Sequence, residues 1–407
     1  MAQRAADLLV DCLIAQGADR MFCVPGESYL ALLDALAGRA VDLVVCRHEG
    51  GAAMMAVADA KLTGRPGLLA CSRGPGAANA AIGLHLAEQD AIPLVVLIGQ
   101  VARWERGRGA FQEVDYDQFF GGIAKMVREV TEAEQLSETI ARAFHVARSG
   151  TPGPVVVVLP EDMLSDMVEG EALPPQKMPT AGPAIENVDT AMEMLSRADR
   201  PLVIAGGGLH HDGGRAALAE LAEVHGLPVA LTFKHQDIFD NGSPLYAGHL
   251  GFKIPAPLLD TLSRADLVLA IATRLGDIPT QGHRLPSSPV PDQPLIHVWP
   301  DPAILGRVFA TDLALPCDPA AFCHALAGRP RVHDVSDWTA EAHGAAAKLM
   351  GYDVRDMPDG LDFGAVAIAL AERAPADTIV VTDSGNFSGW VHRVWPWDGR
   401  ARAIGAA

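Results

Sequence analysis

The chain has 407 residues, of which 49% are hydrophobic, and a formal charge of −18 at neutral pH with an isoelectric point near 5.1. That length exceeds one ordinary core, so two or three domains are expected. The negative charge repels phosphate backbones and anionic lipid, which argues against nucleic acid and membrane as partners and favours small molecules.

Cys12, Cys23, Cys46, Cys71, Cys317 and Cys323 contain no CxxC pair and mostly sit in apolar segments, where a free thiol acts as a small core residue. A reducing cytoplasm and no zinc site are expected. The amino terminus mixes acids and bases among its apolar residues, and no later apolar run reaches spanning length. Neither a signal peptide nor a transmembrane helix is predicted.

Residues 4–17 place Ala5, Leu8, Leu9, Cys12, Leu13 and Gln16 at helical spacing, and Gly17 ends that helix. "DRMFCVPGES" reads as a short strand entering a Pro-Gly turn. A helix near 28–37, the strand "VDLVVC", a helix over 50–62, the strand "PGLLAC", a helix over 77–88 and the strand "PLVVLIG" follow, and "TPGPVVVVLPED" supplies one more buried strand. Such alternation predicts a doubly wound parallel α/β sheet with helices on both faces. The first domain is placed at 1–165 and a proline-rich linker at 166–188.

"RPLVIAGGGLHHDGG" restarts the pattern, and "ADLVLAIATRLGD" and "PLIHVWPDP" add strands, so a second, Rossmann-like α/β domain is expected over 189–328. A polar linker is placed at 329–360. The segment 361–407 carries a helix and the strand of "VVTDSGNFSGW", the start of a third α/β domain too short to close a doubly wound sheet. Either a fragment or a lost third domain is expected.

Several stretches carry chemistry. In "CRHEGGAAM", Glu49 stands where a strand turns into a helix; helix capping is one explanation, and a functional carboxylate is the other. "SRGPGAAN" is a glycine-proline turn into a helix, with Pro75 near its first turn. "AFQEVD" is either an ordinary loop with Phe111 packed and Gln112 solvated, or a functional loop on a rigid scaffold. "AGGGLHHDGG" fails the G-x-G-x-x-G dinucleotide pattern, because His211 stands where the third glycine belongs. His210 and His211 are adjacent and diverge from a turn, so they are expected as solvated loop residues, and no protein-built metal site is indicated.

"PGES" (25–28), "RHEGGAA" (47–53), "SRGPGAANAAIG" (72–83), "AFQEVD" (110–115) and "GTPGPVVVVLPED" (150–162) occur in this order over about 160 residues. Together they resemble the pyrimidine-binding domain of thiamine diphosphate-dependent enzymes of the acetolactate synthase-like group. The resemblance implies that Glu49 hydrogen-bonds N1′ of the aminopyrimidine and favours the imino tautomer that deprotonates C2 of the thiazolium. It further implies that Pro25, Gly26, Ser72, Gly74, Gly76 and Asn79 surround the cofactor, and that Phe111 and Gln112 face the acceptor substrate and thiazolium. The family often has Thr-Ser before the GPG turn, whereas Ser72 and Arg73 stand here.

The central domain resembles the one that binds flavin in acetolactate synthases. FAD would then lie near Gly206, Gly207, Gly208, Thr232, Leu250, Gly251, Thr273, Arg274 and Asp301, although "LGDIPT" replaces the sequence usual there. In the third segment, Ser384, Gly385, Asn386 and Phe387 would reach the cofactor's diphosphate. The family's Gly-Asp-Gly motif and downstream Asn, which hold Mg2+, are absent from the 407 residues.

For the complete enzyme, the resemblance implies decarboxylating carbanion chemistry on a 2-oxo acid, with an acetolactate synthase-like carboligase as the leading expectation. Sulfoacetaldehyde acetyltransferase, benzaldehyde lyase and 2-oxo acid decarboxylase share the same amino-terminal logic. A non-catalytic paralogue acting as a binding module belongs to a different class, as does a flavin- or nicotinamide-dependent oxidoreductase. A homodimer or homotetramer with active sites between subunits is implied.

Overall fold

The structure is a computed structural model and describes residues 2–252, 254–383 and 385–405. The chain forms two compact units, one running to Pro179 and the other starting at Thr180.

In the first unit, β1 (Gln3–Arg4) leads into α1 (Ala5–Ala15), followed by β2 (Arg20–Cys23), α2 (Leu30–Ala35), β3 (Asp42–Val45), α3 (Glu49–Thr63), β4 (Gly67–Cys71) and α4 (Pro75–Gln89). Then come β5 (Leu94–Gln100), α5 (Tyr116–Phe120), β6 (Met126–Glu129), α6 (Leu136–Arg148), β7 (Pro154–Pro160) and β8 (Met167–Val168). Six strands form a parallel sheet in the order β3-β2-β4-β5-β7-β6. Central β5 and β7 are buried along their whole length, as their unbroken runs of Val, Leu and Ile require.

Alternate residues of the strands serve two cores. Leu68, Val95, Leu97, Val155 and Val157 meet α1 and α6 on one face, while Leu69, Val96, Ile98, Val156 and Val158 meet α3 and α4 on the other. Sequence analysis did not anticipate β6 and α6; "MVRE" is a half-exposed edge strand, too short to show a periodicity of its own. The helix expected near 28–37 begins as a 3₁₀ turn at Glu27–Tyr29 and continues as the shorter α2. Part of the expected linker is ordered, since β8 pairs antiparallel with β1.

Helices α3 and α4 lie against each other through small residues: a methyl group on Gly83 would stand 2.2 Å from Ala53 Cβ. Gly83→Ala is therefore expected to lower stability by about 1–3 kcal/mol, as overpacked cores do. An unchanged urea midpoint would show that the two helices separate freely.

The second unit runs α7 (Ile185–Arg197), β9 (Pro201–Ala205), α8 (Asp212–His225), β10 (Val229–Thr232), β11 (Tyr246–Leu250), α9 (Ala256–Leu262), β12 (Leu267–Ile271), β13 (Leu295–Val298), β14 (Leu313–Leu315) and α10 (Pro319–Ala327). Its sheet is also parallel, in the order β11-β10-β9-β12-β13-β14. The stretch expected as a linker at 329–360 contains α11 (Asp337–Met350), a helix started by the Ser336 cap, which buries Trp338, Ala342 and Ala346 on this unit. Trp338 Nε1 donates to the Pro201 carbonyl at 2.8 Å.

After it come α12 (Phe363–Arg373), β15 (Ile379–Thr382), α13 (Ser388–Val394) and β16 (Arg402–Gly405), with β15 and β16 paired in parallel. This last segment is tied to the central sheet: the amides of Asn241 and Ala403 donate to the Trp397 carbonyl and Asp237 Oδ2 at 2.8 and 3.0 Å. No helix among the described residues is long and apolar enough to cross a membrane.

Candidate functional site

The strand order of the first unit reverses beside β2: the chain steps from β2 to β3 on one side, then to β4 on the other. Ligands of open α/β sheets bind in the crevice outside the carboxyl ends of strands at such a reversal. Here the loops after β2, β3 and β4 converge. A methyl group on Gly26 would lie 2.6 Å from Ser72 Cβ, so the loop carrying Pro25 and Gly26 touches the turn after β4. The Arg73 amide donates to Ser28 Oγ at 3.2 Å, holding the two loops together.

Glu49 is the first residue of α3 and is only 9% exposed. The capping explanation for it gives way to a neighbour: His48 Nδ1 accepts the Gly50 amide at 3.0 Å. The Glu49 carboxylate is engaged instead by α4, where Asn79 Nδ2 donates to Oε2 at 3.0 Å. Oε1 has no hydrogen-bond partner among the described residues and faces glycine backbone, since a methyl group on Gly76 would lie 3.2 Å from it and 2.7 Å from Ser72 Oγ. A carboxylate oxygen without a protein partner, beside the Gly74–Gly76 turn and the Ser72 hydroxyl, suits a ring bearing an N–H or a protonatable nitrogen. Burial, with the charge of Glu49 adding to it, pushes the nearby Cys71 thiol well up, so this thiol stays protonated at neutral pH.

The turn after β4 is held from the other side. Gly74 has φ +59°, a left-handed conformation that suits glycine, and its amide donates to Tyr116 Oη at 3.0 Å. Tyr116 is buried, and burial pushes its hydroxyl up to about 12, so it remains neutral. Gln112 rests against this turn: a methyl group on Gly74 would stand 2.9 Å from Gln112 Cβ. Phe111 instead lies 78% exposed on the unit's surface. Sequence analysis missed Tyr116, whose only sign is an aromatic beginning a short helix. It also missed the ion pair of Arg73 Nη1 with Glu161 Oε2 at 2.8 Å, although "SRGPG" and "LPED" had both been singled out.

In the second unit, Thr232, Leu250, Gly251, Thr273, Arg274 and Asp301 all fall at or just beyond the carboxyl ends of β10 to β13. The glycine turn beside them is filled by the chain itself. The amides of Gly206 and Gly208 donate to the carbonyls of Ile271 and Ala272 at 3.0 and 3.1 Å. The His235 ring lies over Gly207, 2.6 Å from where a methyl group would be, and Trp299 closes on Gly208. Gly206, Gly207 and Gly208 therefore do not fit a flavin diphosphate, which needs open amides and bare backbone.

His210 is not the solvated loop residue that was expected; its Nε2 bonds Asp237 Oδ2 at 2.7 Å, and His211 Nδ1 caps α8 by accepting the Gly214 amide at 3.0 Å. In the third segment, Gly385 and Asn386 form the turn entering α13, and Phe387 folds over Gly385 and meets Phe363 edge-on at 6.1 Å. Ser384 lies outside the described residues. Among the described residues, no group of three or more His, Cys, Asp or Glu is placed to hold a metal ion.

Two parallel α/β units, with a buried carboxylate over a glycine turn in the first, define the class. Residues 3–119 match the thiamine pyrophosphate enzyme N-terminal TPP binding domain and residues 188–326 match the thiamine pyrophosphate enzyme central domain. The chain belongs to the thiamine pyrophosphate enzyme family. It is 32% identical over 389 residues to the acetolactate synthase isozyme 2 large subunit of Escherichia coli, covering 95% of this chain and 69% of that protein. It is 30% identical over 364 residues to the acetolactate synthase large subunit of Corynebacterium glutamicum, covering 86% of this chain and 57% of that protein. With the acetolactate synthase of Mycobacterium bovis it shares 31% identity over 397 residues, 95% of this chain and 64% of that protein. The chain thus spans between 57 and 69% of the length of these relatives.

Proposed function

We propose that this chain carries the cofactor-activating site of a thiamine diphosphate-dependent carboligase that acts on a small 2-oxo acid in the manner of an acetolactate synthase. The observation that supports this most is the Glu49 carboxylate, anchored on one oxygen by Asn79 and open on the other, at the strand reversal beside a bare glycine turn. When bound, thiamine diphosphate supplies the electron sink that lets a 2-oxo acid lose carbon dioxide and pass its acyl carbon to an acceptor carbonyl.

The residues of this chain have separate tasks. Glu49 would share a proton with the ring nitrogen N1′ through Oε1, and Asn79 keeps the carboxylate in the orientation that allows it. Pro25, Gly26, Ser72, Gly74 and Gly76 are assigned to the cofactor ring; the glycines let the loops after β2 and β4 and Gln112 close on one another, because a methyl group at Gly26, Gly74 or Gly76 would meet Ser72 or Gln112 within 3.0 Å. Gln112, which abuts the 72–76 turn, and the exposed Phe111 beside it are assigned to the acceptor side of the site. Gly385, Asn386 and Phe387 are assigned to the diphosphate, together with Ser384.

Mg2+ belongs to this reading through a Gly-Asp-Gly segment, so it is assigned to no residue of this chain. No flavin step is assigned either, given the filled glycine turn. A homodimer or homotetramer completes the proposal, with a 2-oxo acid as the small-molecule substrate.

The test is to titrate the protein with thiamine diphosphate and Mg2+ by calorimetry, then supply carbon-13-labelled pyruvate and identify products by NMR. Labelled 2-acetolactate is the expected product. Acetyl phosphate and sulfite formed when sulfoacetaldehyde and inorganic phosphate are added, or acetaldehyde alone from pyruvate, would replace the carboligase assignment. Absence of cofactor binding would remove the reading altogether.

A further inference from the structure

The loop that carries Gln112 is closed by a carboxylate and not by strand pairing. Between β5 and α5, Glu113 Oε1 accepts the Gly107 amide at 2.6 Å and Arg106 Nη1 at 2.7 Å, and Oε2 accepts the Ala110 amide at 3.3 Å. The Glu113 amide returns to the Ala110 carbonyl at 3.1 Å. Arg106 is itself fixed: Nε and Nη2 form a two-pronged pair with Glu129 of β6 at 3.0 and 2.9 Å. Such forked pairs set orientation as well as attraction. The base of the loop is fastened separately by buried Gln100, whose Nε2 donates to the Val114 carbonyl and whose Oε1 accepts the Val101 amide, each at 2.9 Å.

The loop needs this closure because its backbone is unfavourable alone. Gly107, Gly109 and Gln112 have φ of +74°, +70° and +63°. Glycine adopts such values freely, whereas glutamine does so only when its surroundings hold it there. The Gln112 side chain makes no hydrogen bond to the scaffold among the described residues; its Cβ simply abuts Gly74. The nearest groups able to hold Gln112 in place are therefore those of the adjoining residue. The Gly107 amide, followed by the Ala110 amide and Arg106, keeps the Glu113 carboxyl below the ordinary glutamate range, consistent with an ionised acceptor at neutral pH.

We propose that Glu113 is a positioning residue: its carboxylate, anchored through Arg106 to Glu129, locks residues 106–113 and thereby holds Gln112 against the Gly74 turn of the cofactor site. The inference rests on the assignment of Gln112 and the turn to that site. It assigns Glu113 no contact with substrate or cofactor.

The experiment is hydrogen–deuterium exchange on the protein without cofactor, comparing wild type with Glu113→Ala, Glu113→Gln and Gln112→Ala. Glu113→Ala is expected to speed exchange by about tenfold at the Gly107 and Ala110 amides and also at the Gly74 amide, while α6 and β7 keep their protection. Glu113→Gln should restore most of the protection at Gly107, since an amide oxygen still accepts. Gln112→Ala should leave Gly107 and Ala110 protected, because the lock does not depend on the residue it holds.

Should Glu113→Ala loosen the whole unit, Arg106→Gln, which removes the ion pairs to both Glu129 and Glu113 but leaves the Gly107 and Ala110 amides bonded to Glu113, is expected to give the same selective pattern more weakly. A Gly74 amide that stays within about twofold of wild type while the loop's own amides accelerate would overturn the proposal, reducing Glu113 to a local brace. Loss of Gly107 protection in Gln112→Ala would overturn it as well. Because no cofactor is present, these outcomes stand apart from the proposed function, which fails if wild-type protein binds no thiamine diphosphate.

Discussion

Glu49→Gln is expected to lower turnover by about 10²- to 10⁴-fold while leaving the fold intact, the range for loss of a positioned proton-sharing group. Glutamine keeps an oxygen that can accept from Asn79 Nδ2, so the contact between α3 and α4 survives. What it loses is the ability of Oε1 to share a proton with a ring nitrogen. Proton exchange at C2 of added thiamine diphosphate, followed by NMR, should slow in step with turnover, and the thermal midpoint should not move. Equal exchange in the variant and wild type would sink the role given to Glu49. Glu49→Asp separates charge from reach: the shorter side chain keeps the carboxylate but withdraws it from Gly76 and Asn79, and it should lose activity to a comparable degree.

Acidification from pH 7 to pH 4 is expected to cost the second unit about 3 kcal/mol through His249 alone. This residue lies inside the buried β11, next to its last residue Leu250, is 8% exposed, and has no hydrogen-bond partner for either ring nitrogen among the described residues. Burial, with His392 nearby as a lesser cause, pushes it down to about 4 from an ordinary 6.5. Between those values the unfolded chain holds the proton and the folded chain does not. Stability therefore rises with pH across this window and is lost as pH falls through it. His225 and His297, also lowered by burial, act in the same direction.

Urea unfolding at both pH values, monitored by the fluorescence of Trp299 and Trp338, measures the loss. In His249→Leu the difference between pH 7 and pH 4 should shrink by most of that amount. An identical acid loss in wild type and variant would show that His249 is solvated in solution.

Several features of the candidate site are readable from local chemistry. Glu49 stands at a strand-to-helix junction because an apolar run ends at Cys46 and small residues begin at Gly50. Gly74 and Pro75 mark a turn into a helix whatever surrounds them, since a left-handed residue before a helix and a proline at its first position have few alternatives. Elsewhere local chemistry misleads. Gly206, Gly207 and Gly208 suggest an open anion-binding turn, yet His235 and Trp299, from distant parts of the chain, close it. The polar composition of 329–360 suggests a linker, but five residues of α11, Trp338, Thr339, Ala342, Ala346 and Leu349, are enough to bury one face of a helix.

Most of the strand-helix alternation, though not β6 and α6, the two parallel-sheet units and the family to which the chain belongs are legible in the residues alone. Those features rest on periodicity and turn residues acting over a few positions, where backbone geometry leaves little choice. Which side chains meet emerges with the fold: His48 and not Glu49 caps α3, Asn79 takes one carboxylate oxygen, Tyr116 receives the Gly74 amide, and Arg106 joins Glu113 to Glu129. Strand order fixes these partnerships. Placing β4 on the far side of β2 brings three loops to one edge, and their hydrogen bonds depend on distances that no local pattern encodes.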